Sequence, residues 1–67
     1  MKVGDLVKSR RGAYPSKVFL VMRAERHSTV GGVIWLYPDP DGNPDYDHTD
    51  DDNYYFKRFF EVLSESR

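Results

Sequence analysis

Apolar residues come in four bursts along this chain, separated by polar or turn-forming stretches. The first covers residues 3–9. It mixes the two parities, and Gly4-Asp5 within it suggests a strand with a bend or bulge. Residues 10–16, punctuated by Gly12 and Pro15, read as a loop. A second strand is expected over residues 17–26. There Val18, Leu20, Met22 and Ala24 share one face, and Phe19, Val21, Arg23 and Glu25 share the other. A strand that is apolar on both faces near its start reads as central or partly covered. His27-Ser28-Thr29 makes a turn. Residues 30–37 form a third strand of strong β propensity, Val33-Ile34-Trp35-Leu36-Tyr37, with Gly31-Gly32 at its start or at a bulge.

The rhythm then stops. Residues 38–53 hold Pro38, Pro40, Pro44, Gly42 and seven aspartates, and nothing here can build a core. This is long for a connection in a compact domain, and such loops tend to be functional or disordered. The last burst, from Tyr54 onward, supports two readings. Apolar positions 55, 56, 59, 60 and 63 follow helical spacing, with Lys57, Arg58, Glu61, Ser64 and Glu65 on the opposite face. A strand reading sets Phe60 and Val62 against Phe59, Glu61 and Leu63.

Length sharpens the picture. Sixty-seven residues make one domain, and a chain this short buries only about 60% of its unfolded surface. Trp35 and Phe60 are the expected core rings. The chain has no Cys, which excludes disulfides and thiolate zinc sites. It shows no signal-peptide pattern and no apolar run of membrane-spanning length, so a cytoplasmic setting and no membrane partner are expected.

The net charge of −1 hides a split. Residues 1–29 carry seven basic and two acidic side chains, a balance of +5, whereas residues 38–53 carry −7. Such asymmetry can mark an interaction surface, or the loop can simply neutralise the basic face.

Val3-Gly4-Asp5-Leu6-Val7-Lys8, the Val33-Ile34-Trp35-Leu36 strand and Phe60-Glu61-Val62-Leu63-Ser64 together resemble small SH3-like barrel proteins. Many of these are encoded by tailed bacteriophages, including phages of cyanobacteria. The resemblance covers about half the chain and implies an all-β fold. That fold is an SH3-like barrel of about five short strands, with a long acidic loop and a short helical turn over about 54–58 before a last strand over 59–64. The same architecture houses KOW-type domains that bind RNA or polymerase. Those domains usually carry a glycine entering the second strand, where this chain has Ser16-Lys17-Val18-Phe19.

Three constellations are candidates for function. Asp39, Asp41, Asp45 and Asp47 offer oxygen ligands at alternate positions around Gly42, which suits weak calcium binding. The EF-hand register is absent, and the same residues suit a solvated loop of Asp-Gly and Asn-Pro turns. Lys8, Arg10, Arg11, Tyr14, Lys17 and Arg23 form a basic set with an aromatic, the chemistry of a nucleic-acid surface. Tyr37, Tyr54 and Tyr55 flank the acidic loop, and with Asp50, Asp51 and Asp52 they would suit a basic protein partner. Alternatively these rings pack under the loop and anchor it. His27 and His48 fall in loops with no nucleophile spaced to use them.

The expectation is therefore a non-catalytic module without a cofactor. It would be a monomer or small homo-oligomer that binds a protein of host or phage through its acidic and aromatic surface. The alternatives are nucleic-acid binding through the basic strands and weak calcium binding.

Overall fold

Alternating apolar residues produce the strands, and their order produces the barrel. The computed structural model describes residues 1–10 and 17–65. Five strands form one antiparallel sheet: β1 (Leu6–Ser9), β2 (Phe19–His27), β3 (Gly31–Tyr37), β4 (Tyr55–Phe56) and β5 (Phe60–Ser64). A 3-10 turn, Lys57–Phe59, joins β4 to β5. The strand order is β4-β3-β2-β1-β5, in which the first and last strands of the sequence lie side by side. This is the SH3-like arrangement, and the sequence bookends are its β1–β5 pair, with Val7 opposite Val62 and Ser9 opposite Phe60.

The inner core is Val7, Phe19, Val21, Ile34, Leu36 and Phe60, with Ala24 and Tyr55 packed against it. Residues from all five strands meet in this one cluster, so the sheet is rolled around it. Phe60 meets Phe19 and Tyr55 edge-on, with ring centroids 6.2 and 6.1 Å away.

Gly4-Asp5 marks a turn and not a strand. Gly4 has φ 93°, the Asp5 carboxylate accepts from the Lys2 amide at 3.0 Å, and β1 begins only at Leu6. The buried Asp5 thus caps the entry, while its carbonyl accepts from Val21 N–H. On β2 the expected faces exchange partway along. Phe19 and Val21 point inward, a bulge between Val21 and Arg23 absorbs Met22, and Ala24 then joins the core side. Val18, expected on the apolar face, is exposed.

The helical spacing of the last segment does not produce a helix. Phe60 is buried, but Phe59 and Leu63, which a helix would place beside it, are exposed. The turn expected over 54–58 lies at Lys57–Phe59, because residues 55–56 form β4, a strand too short to leave a periodic signature. Arg58 in this turn lies over two rings, 4.8 Å from Phe56 and 5.1 Å from Phe59. Among the described residues, no helix is long and apolar enough to cross a membrane.

Candidate functional site

A strand covered on both faces needs two sets of neighbours, and β3 has them. Ile34 and Leu36 face the inner core. Trp35 faces the other way and is still only 2% exposed. What covers it is the acidic loop, which folds back over the outer face of the sheet.

The loop is built from turns that its own side chains close. Asp39 Oδ2 accepts from Asn43 N–H at 2.9 Å, Asn43 Oδ1 from Asp45 N–H at 2.9 Å, and Asp50 Oδ1 from Asp52 N–H at 2.9 Å. Asp47 Oδ1 accepts both the amide and the hydroxyl of Thr49, which holds its carboxyl below the usual range. Gly42, at φ 73°, closes the first turn onto the Asp39 carbonyl.

Long-range bonds then fasten the loop to the barrel. The Trp35 indole N–H donates to the Asp50 carbonyl at 2.8 Å. The Leu36 amide, on the edge of β3 beyond the two residues that pair with β4, donates to the Tyr46 hydroxyl at 3.2 Å. The loop thereby continues the edge protection that so short a β4 cannot supply. The Tyr55 hydroxyl donates to Asp39 and lies 3.2 Å from the Asp41 carboxylate, while its ring packs on Phe60.

Arg23 completes the attachment. Its guanidinium lies 4.1 Å above the centre of the Trp35 ring, pairs with Asp51 at 2.7 Å and also bonds Glu25. These carboxylates, Asp51 first, raise its already high pKa. The stacked cation is attracted to the negative face of the indole. The ion pair with the exposed Asp51 is screened by water and adds little beyond the stacking.

A cleft of about 430 Å³ opens beside this anchor, between the loop and the β2–β3 hairpin. Trp35, Tyr54 and His27 supply its rings, Arg26 one flank, and Asp51 and Asp52 its acidic rim. Tyr54 stands edge-on to Trp35 at 6.0 Å and tilted against His27 at 5.8 Å. The His27 Nδ1 accepts from the Thr29 amide at 3.1 Å, fixing the ring. A second cleft, of about 280 Å³, lies at the other end of the loop between Tyr37, Pro44 and Tyr46.

The expected site residues are thus divided. Tyr37, 62% exposed, lies at that far end, and only Tyr54 lines the Trp35 cleft with Asp51 and Asp52. Tyr55 is an anchor beneath the loop, not part of a rim. Asp50 contributes its carbonyl to Trp35 and its carboxylate to a turn.

The basic set does not form one surface either. Lys8 pairs with Glu61 across β1–β5 at 3.3 Å, and Arg10 donates to the Phe60 carbonyl at 3.2 Å. Lys17 is exposed, Arg23 on β2 pairs with the acidic loop, and Arg11 and Tyr14 lie outside the described residues. Asp39 and Asp41 converge on the Tyr55 hydroxyl, while Asp47 serves a turn. No group of three or more potential ligands among the described residues, Asp45 included, is placed to hold a metal.

Sequence reasoning assigned Trp35 to the core and Arg23 to a nucleic-acid surface, and so missed that the two meet. The available signal was the apolar run at 33–37, which requires cover on both faces of one strand.

The tyrosine anchors make stability sensitive to alkali. Burial and the neighbouring Asp39 and Asp41 push the Tyr55 hydroxyl above its usual pKa of 10.0, and burial does the same for Tyr46. Above that pH the unfolded chain releases these protons before the folded one does. Stability is therefore complete below pH 10 and falls as pH rises beyond it. Urea midpoints measured from pH 8 to 11 should drop, and Tyr55→Phe should flatten the drop.

Comparison with family models, curated proteins and solved structures finds no match for this chain.

Proposed function

We propose that this protein is a non-catalytic interaction module, of the accessory kind that tailed phages encode, and that it docks a basic segment of a protein partner. The docking surface is the acidic loop together with the Trp35–Tyr54 cleft. One observation carries the reading. The loop concentrates seven aspartates, and Arg23 reaches it through an ion pair with Asp51. Of the basic set, Lys8 pairs with Glu61 and Arg10 with the Phe60 carbonyl, away from the loop. Asp45, Asp47, Asp50, Asp51 and Asp52 are exposed on a backbone fixed by its own turns, which suits steering and registering a cationic partner.

The test is fluorescence anisotropy with a labelled arginine–glycine peptide and, in parallel, labelled DNA and RNA oligomers, at low and high salt. The peptide should bind in low salt and weaken as salt screens the loop. Replacing Asp50, Asp51 and Asp52 by Asn should weaken it roughly tenfold, at about 0.5 kcal/mol for each exposed charge. Equal binding by wild type and triple variant would remove this reading. Tight binding of an oligomer in place of the peptide would move the site to the Lys8, Arg10 and Lys17 end.

A further inference from the structure

We infer that the outer face of Trp35 is a seat for a guanidinium group from the partner, and that Arg23 occupies it as an internal stand-in until an arginine side chain displaces it. The inference rests on the function proposed above and names the chemical group that function would recognise.

The seat is defined by what fills it. A planar cation lies 4.1 Å over the indole centre, and a carboxylate reaches it at 2.7 Å from one side. Ring face, edge carboxylate and an adjoining cleft make a complete recognition site for a flat, fork-shaped cation. The occupant is replaceable. Asp51, which holds it, has a side chain 83% exposed, so the ion pair is open to water and to a competing cation. The adjoining cleft of about 430 Å³ shares Trp35, Asp51 and Tyr54 with the seat, so an incoming arginine has room to lie before the exchange. Glu25, two residues further along β2, can keep the displaced Arg23 paired.

Charge and geometry must be separated to test this. Arg23→Lys keeps the positive charge but loses the planar fork that stacks on the indole. Arg26→Gln removes a charge at the cleft flank without touching the seat. Binding of the arginine–glycine peptide is read by anisotropy and by the fluorescence of Trp35, the one tryptophan in the chain.

Arg23→Lys should bind the peptide at least about threefold more tightly than wild type, with a larger change in Trp35 emission. Arg26→Gln should show a smaller gain that disappears in high salt. Arg23→Gln supplies a further arm, and thermal unfolding of each variant confirms that it folds.

If wild type binds and the Asp50/Asp51/Asp52 triple variant weakens, but Arg23→Lys binds no better than wild type, the stand-in is refuted and the docking surface remains. If no variant binds at low salt, the docking function and the seat fall together.

Discussion

Phe60→Ala should abolish cooperative folding at room temperature. The ring is 2% exposed, meets Phe19 and Tyr55 edge-on, and lies on the strand that closes the barrel against β1. Removing a buried phenylalanine costs about 3–5 kcal/mol in transfer and cavity terms. A domain of 67 residues has only roughly 3–10 kcal/mol in total, at 0.05–0.15 kcal/mol per residue. The loss therefore consumes most of the margin, and no disulfide offsets it. Circular dichroism of wild type should show a sigmoidal melt, and Phe60→Ala a shallow, non-cooperative one. Phe59→Ala, one residue away but half exposed, should keep the cooperative melt.

Trp35→Ala should have a comparable cost but a different locus. It removes the ring that Arg23 stacks on, the indole N–H that Asp50 accepts and the edge that Tyr54 packs against. The inner cluster does not include Trp35. With the fold supported by a stabilising osmolyte, hydrogen exchange should show protection lost across residues 38–54 while β1 and β5 keep theirs. Trp35→Phe keeps a ring under the loop and loses the N–H bond, so its cost should be only about 1 kcal/mol. Uniform loss of protection in Trp35→Ala, with the loop no more affected than the strands, would mean that the loop is not fastened through this residue.

The parts of the fold legible in the sequence are those where local pattern and global need agree. Strands expected at the start of the chain, over residues 30–37 and over about 59–64 are present as Leu6–Ser9, Gly31–Tyr37 and Phe60–Ser64. The bulge at Met22 was not legible, because one extra residue in a ladder changes no composition and only reverses the faces beyond it. β4 was not legible, because two residues carry no period.

The loop divides the same way. Its Asx turns could be read from Asp, Asn and Gly spacing, since each closes within a few residues. Its attachment could not, because Trp35 to Asp50 and Arg23 to Asp51 are chosen by tertiary geometry. That is why the sequence left Tyr55 open between rim and anchor, and its hydroxyl on Asp39 and Asp41 makes it an anchor.

The central claim is that a fastened acidic loop and the Trp35 cleft form one surface for a cationic partner. Its most direct test is an NMR titration of ¹⁵N-labelled protein with the arginine–glycine peptide at low salt. The account predicts that the Trp35 indole resonance and the amides of residues 47–54 shift together and saturate together. Shifts confined to the Lys8, Arg10 and Lys17 end, or a loop that moves while the Trp35 indole stays still, would contradict it.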